Sequence, residues 1–215
     1  MQKLTKQAFG FMLAAVLALS GCKPETSQAE EFKEGVYYGR INPPVPTQVG
    51  PNRVEVDELF WYGCPHCADL EPTIDKFLQT KPANVDFQRV PATISSRWRY
   101  HAVLYYVGKM LDPTGEKQLH KKTFDAIQKQ RRRIDNDDAL RRFFTEQGYS
   151  LDKINGALNS MEMKAAMARA DEIGQKSGAD SVPMIIINGK YITSPSMAGD
   201  KLLPVVNYLI KRETK

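Results

Sequence analysis

The stretch from residue 54 to residue 78 constrains this chain more than any other. It reads VEVDELFWY, then GCPHC, then ADLEPTIDKFL. Val54, Val56, Leu59 and Phe60 form a β-prone run, and Gly63 breaks it directly before Cys64. Leu70, Ile74, Phe77 and Leu78 then recur at helical spacing, which gives the following helix one apolar face. A strand, a tight turn carrying Cys64 and Cys67, and a helix together point to a redox dithiol. A helix that begins at Cys64 aims its unpaired backbone N–H groups and the positive end of its dipole at that sulfur. Such a field favours thiolate over thiol, and the thiolate is the reactive species.

The chain opens as a targeting signal. Lys3 and Lys6 precede an apolar core at 9–19 that is too short for a comfortable membrane-spanning helix. Leu19-Ser20-Gly21-Cys22 resembles a bacterial lipobox, in which cleavage leaves Cys22 as the lipidated, palmitate-bearing first residue of a lipoprotein. The alternative is an ordinary secretory signal in which Cys22 is incidental. Residues 1–21 are therefore expected to be removed, and the polar segment 22–34 to tether the lipid to the folded part. The rest of the chain is long enough for one well-packed domain, or one domain with an insertion.

The cysteine count narrows the chemistry. There are three, and with Cys22 assigned to lipid only Cys64 and Cys67 remain. An exported chain whose sole pair is C-x-x-C points to redox chemistry instead of structural stapling. A metal site needs about four ligands, and Cys64, His66 and Cys67 are too few and too local. Haem attachment requires a histidine after the second cysteine, where Ala68 stands. No metal and no cofactor beyond a Cys64–Cys67 disulfide is expected. The net charge is +5, and residues 92–170 hold fifteen Lys and Arg against nine Asp and Glu. Nothing interleaves Arg131-Arg132-Arg133 with aromatics, so this excess reads as a solvated helical surface and not a nucleic-acid site.

Along the chain, 36–41 is a short strand candidate, and Asn42–Pro46 is extended and poor at pairing. Residues 54–60 form the central strand, and 85–90 another that Pro91 stops. Five helices come next, at 98–111, 116–130, 137–147, 151–158 and 162–175, with Asn136 and Ser150 as N-caps. The strand pattern resumes at 184–187, an apolar run fit for a buried strand. Asn188-Gly189 is a strong hairpin signal before a strand at 190–193, and a helix at 202–210 ends the pattern.

At this point the chain resembles the DsbA family of thiol oxidases. Cys64-Pro65-His66-Cys67 carries the dipeptide typical of that family, the run Phe60-Trp61-Tyr62 is similar too, and Ser181-Val182-Pro183 resembles the superfamily's cis-proline loop. The resemblance implies an α/β fold, a thioredoxin fold with an inserted all-helical domain: thioredoxin-like parts at 35–94 and 169–215, and the insertion at 95–168. It implies Cys64 as nucleophile, Cys67 as buried partner, and a disulfide donated through a mixed disulfide at Cys64. His66 is expected to give a hydrogen bond or partial positive charge to the Cys64 thiolate. Val182 and Pro183 are expected to face the cysteines and to pair with an extended substrate. Glu71, four residues after Cys67, resembles the acid that handles protons near the inner cysteine. His101 and His120 are read as core or surface histidines. Gly63 stands where some members have a bulky aromatic, and Glu71-Pro72 resembles the kink of thioredoxin's active-site helix.

The implied partners are reduced, newly exported proteins and a DsbB-like quinone-linked membrane oxidase that re-oxidises the dithiol. The implied location is the periplasm, tethered through Cys22 to the inner membrane in preference to the outer. Isomerases on this fold are usually dimers with a separate dimerisation domain, which 22–34 cannot supply, so a monomer is expected. The rival readings are a reductant or isomerase, and a chaperone or adhesin-binding module whose cysteines only stabilise a turn.

Overall fold

The computed structural model describes residues 32–214. Signal, lipobox and most of the tether lie outside the described residues. Five strands form one mixed sheet in the order β1-β5-β4-β2-β3. They are β1 (Gly39–Arg40), β2 (Val54–Phe60), β3 (Val85–Pro91), β4 (Met184–Ile187) and β5 (Tyr191–Thr193). β2 runs parallel to β3 and antiparallel to β4, with Val56 opposite both Phe87 and Ile187. Helix α1 (Pro65–Thr80) follows β2. The block α2 (Ser96–Leu111), α3 (Leu119–Phe124), α4 (Asp137–Glu146), α5 (Leu151–Leu158) and α6 (Met161–Ser177) lies between β3 and β4. A short α7 (Pro195–Ala198) and α8 (Leu202–Glu213) complete the order. This is a thioredoxin fold with a helical insertion.

Both faces of the sheet are covered, as the alternation in β4 shows. Ile185 and Ile187 pack with Val54, Val56, Leu70, Ile74 and Phe77 and with Val205, Val206 and Leu209 of α8. Ile186 between them packs with Leu59 and with Leu104, Phe144 and Ile173 of the helical block. A strand buried on both sides reads as a continuous apolar run, which is why 184–187 was legible. Asn136 and Ser150 cap α4 and α5, accepting from the backbone N–H of Ala139 and Lys153. Asn188 and Gly189 turn the β4–β5 hairpin with both φ angles positive, as a two-residue primed turn requires.

Four expectations need correction. The tether does not extend to residue 34. Phe32 is buried edge-on against Tyr37 and Tyr208, and Glu34 pairs with Arg40 at 2.9 Å. An aromatic with apolar partners to cover it does not stay in solvent. The first strand shrinks from 36–41 to Gly39–Arg40, because a turn with Gly35 at φ +81° occupies 35–37. The helix expected at 116–130 begins only at Leu119. It loosens into a π-helical turn over Asp125–Lys129, and α6 runs unbroken through the 168/169 boundary.

Candidate active site

Cys64 is the N-cap of α1, with Pro65 in its first turn, where a missing N–H costs nothing. The backbone N–H of Cys64 donates to the Trp61 carbonyl at 2.9 Å, closing the turn that ends β2. Both cysteines are free thiols in this structure. They differ sharply in environment. Cys64 is half-buried, whereas Cys67, one turn into the helix, is fully buried. Burial raises the Cys67 pKa, the Trp61 backbone N–H works against that rise, and the negative charges at Cys64 and Glu58 add to it. Cys67 is therefore held as a thiol, and Cys64 is left as the sulfur that reacts first.

Opposite the cysteines, the Val182–Pro183 peptide bond is cis. The Cys64 Sγ–H donates to the Val182 carbonyl at 3.6 Å, so the expected pairing of these two elements is present. His66, Leu70, Val182, Pro183, Pro195 and Ser196 line a shallow cleft of about 340 Å³ beside them. His66 itself stays in solvent, its Nδ1 4.0 Å from Asp69 Oδ2, and no hydrogen bond joins it to Cys64 among the described residues. Gly63 has a steric explanation. A Cβ there would lie 2.2 Å from the Trp61 ring, which folds over it and stacks on Trp98 at 4.5 Å between centroids.

Beneath α1 lies a charged cluster that sequence reasoning saw only in part. Arg89 from β3 pairs with Glu71 at 2.9 Å and approaches Glu58 of β2 at 3.2 Å. Burial pushes Glu71 up, but His120 and Arg89 more than reverse this, and its carboxyl is held below the usual value. Glu71 is thus a fixed anion. Glu58 is the opposite case: fully buried, without a hydrogen bond to either oxygen, and pushed up to about 8 by burial and by the charge of Glu71. Of the two acids, Glu58 is the one whose burial favours the protonated form, and its charge is felt at Cys67. His120 also belongs here, and not to an ordinary core or surface. Its Nε2 meets Glu71 Oε1 at 3.1 Å and its Nδ1 meets the Tyr62 hydroxyl at 2.9 Å. His101 is buried against Trp61 and pushed down to about 4 by that burial.

A family model described as "DSBA-like thioredoxin domain" matches residues 84–208. The thiol:disulfide interchange protein DsbA of Pseudomonas aeruginosa PAO1 is 32% identical over 205 residues, covering 94% of this chain and 95% of its own length. The chain belongs to the DsbA family. The DsbA of Pseudomonas syringae pv. tomato is 36% identical over 203 residues, with 93% of each chain covered. The crystal structure of Pseudomonas aeruginosa DsbA superposes with a TM-score of 0.78 at 31% identity, covering 85% of this chain and 94% of that one. That of Xylella fastidiosa DsbA gives 0.72 at 28%, covering 82% and 95%. This DsbA-family chain is accordingly a thiol:disulfide oxidoreductase.

Proposed function

We propose that the chain works as a disulfide donor, with Cys64 as the attacked sulfur and Cys67 as the leaving one. The asymmetry between the two sulfurs carries this reading. A substrate thiolate attacks Cys64 of the oxidised enzyme, forms a mixed disulfide and expels Cys67, which takes up a proton. A second substrate thiolate then attacks the substrate sulfur, releasing the new disulfide and leaving both cysteines reduced. The cleft beside Val182 and Pro183 receives the extended substrate, whose backbone N–H bonds to the Val182 carbonyl once Cys64 is engaged. His66 is the polar neighbour that turns toward the Cys64 thiolate. Re-oxidation passes two electrons to a DsbB-like quinone-linked oxidase. Equilibration against glutathione tests the direction, run beside a peptide-oxidation assay. A strongly oxidising potential and fast peptide oxidation are expected. Faster reduction of insulin than oxidation of peptide would instead assign a reductant.

The enzyme is further proposed to act in the periplasm as a monomer on a lipid anchor at Cys22, on the inner membrane. Several acyl chains on one residue hold a protein stably where a single chain binds only marginally. Cys22→Ser is expected to move the protein to the soluble fraction or block its processing. A processed, membrane-bound Cys22→Ser protein would end this part of the reading.

A further inference from the structure

We propose that the stacked indoles of Trp61 and Trp98 form a substrate subsite, which takes an aromatic side chain carried within two residues of the cysteine that bonds to Cys64. This deepens the disulfide-donor reading and rests on it. In the mixed disulfide the covalent bond fixes what lies beside Cys64: the stretch of substrate around its own cysteine. An extended chain advances about 3.3–3.6 Å per residue, so the two residues on either side of that cysteine stay within about 7 Å of it. The indole stack starts within that reach. Gly63 adjoins Cys64, and the Trp61 ring fills the space a side chain there would need, 2.2 Å from where its Cβ would stand. Trp98 lies on Trp61 with centroids 4.5 Å apart and planes inclined by 10°. His101, one turn further along α2 and buried, packs on the same indole at 5.8 Å. Trp61 is thereby held to α2 at two points, while half-buried Trp98 carries no second ring among the described residues.

The surroundings extend this apolar flank. The Ala92 backbone N–H donates to the Phe60 carbonyl at 2.9 Å, so the segment leading into α2 leaves the sheet beside the turn that carries Cys64. Ile94 in that segment is 62% exposed, one of four large apolar side chains that stand mainly in solvent among the described residues. It precedes Ser95, the N-cap of α2, where an apolar residue ordinarily packs on the fourth residue of the helix. That residue is Arg99, which reaches Asp171 at 2.6 Å instead. Helix formation therefore does not account for Ile94. The cleft on the cis-proline side has a different chemistry. It carries His66, Asp69 and Ser196, and none of Trp61, Ile94 or Trp98 belongs to it. A strand laid past Cys64 sends its residues before and after the cysteine to unlike flanks, one with charged groups and one aromatic. Contact of ring on ring adds to apolar burial, by a factor of about three to ten in affinity.

The test sets two peptides in competition for one sulfur. In Cys67→Ser the mixed disulfide at Cys64 persists, and the thiolate of a second peptide attacks the Cys64 sulfur and displaces the first peptide's thiolate. Single-cysteine peptides with phenylalanine or glycine at the two positions before or after the cysteine would be equilibrated against each other. The phenylalanine peptide is expected to prevail about three- to tenfold when its rings lie on one side of the cysteine, and not when they lie on the other. Trp98→Ala should bring that ratio to within about twofold of unity, and Trp98→Phe should keep most of it. Ile94→Ser, at a side chain already in solvent, should lower it too, whereas Val36→Ser, at another exposed apolar side chain, should not. Joining the phenylalanine peptide should also change the near-ultraviolet circular dichroism of the indole pair, which the glycine peptide leaves alone. An exchange ratio near unity on both sides, or a preference that survives Trp98→Ala and Ile94→Ser, overturns the proposal. Should Cys67→Ser trap neither peptide at Cys64, the underlying cysteine assignment has failed instead.

Discussion

Single residues in β2 carry large electrostatic costs. Glu55, Asp57 and Glu58 are all buried; Glu55 pairs with Arg169 at 2.9 Å and Glu58 with Arg89 at 3.2 Å. Burial, followed by the charge of Glu55, raises Asp57 from 3.8 to about 8. Unfolded Asp57 ionises near its ordinary value while folded Asp57 keeps its proton, so stability contributed at acid pH is lost as pH rises between the two. Asp57→Asn supplies the same donor to Glu55 without ionising. It is expected to stabilise the protein by roughly 1–3 kcal/mol at pH 8 and to have little effect at pH 4. Urea denaturation at both pH values measures this, and equal shifts at both would refute it. Glu58→Gln should stabilise in the same direction, since it too removes a buried acid that must otherwise ionise as pH rises. These acids were visible in the sequence but not their burial. VEVDELF alternates like a strand with one wet face, and only the helices on both sides of the sheet make every residue of it dry. Gly63→Ala is a steric case. Its methyl would collide with the Trp61 ring, and a loss of about 1–3 kcal/mol is expected together with the Trp61–Trp98 signal in near-ultraviolet circular dichroism.

At the level of elements, the strongest local signals gave the most accurate expectations. β2 and β4 match their ranges residue for residue, and the capping residues of α4 and α5 are those named from the sequence. What escaped depended on tertiary contact. His120 becomes a site residue only because α3 docks on the turn after β2, and Gln128 in the π-helical turn fixes that turn by donating to the Tyr62 carbonyl at 2.7 Å. No spacing in the sequence connects residue 62 to residues 120 and 128. A π turn commonly marks such a functional contact. The β4–β5 hairpin is more exacting than its Asn-Gly signal implies. Gly189 sits at φ +64°, and a Cβ there would lie 1.9 Å from the Val45 carbonyl oxygen, while the Val45 N–H donates to the Gly189 carbonyl. Gly189→Ala should therefore cost at least about 2 kcal/mol, both for the left-handed backbone and for the displaced segment. Gly50→Ala, with open space around its Cβ, is the control and should change stability by less than about 0.5 kcal/mol. Comparable losses in the two variants would show that the hairpin tolerates what its geometry forbids.

For the whole molecule, the redox direction and the folding stability are one quantity seen twice. Forming the Cys64–Cys67 disulfide in the folded protein differs from forming it in the unfolded chain by the stability gap between oxidised and reduced forms. For a two-electron couple each ~30 mV of potential corresponds to about 1.4 kcal/mol. An oxidant must therefore fold more stably when reduced. The structure has means to favour that state. Cys64 caps a sixteen-residue helix, so its thiolate lies at the positive end of the dipole, and Pro65-His66 places a solvent-exposed imidazole two residues along the chain. Against this, the disulfide restrains the unfolded chain only through a very short loop, so the ordinary entropic benefit of a cross-link is small. The expected outcome is a lower urea midpoint for the oxidised protein than for the reduced one, with a gap that matches the potential measured against glutathione. Replacing Pro65-His66 with Gly-Pro removes the imidazole but leaves the helix terminus, so the gap should narrow without vanishing. If the oxidised form proves the more stable, no arrangement of the helical block rescues the oxidase reading, and the chain drives reduction instead.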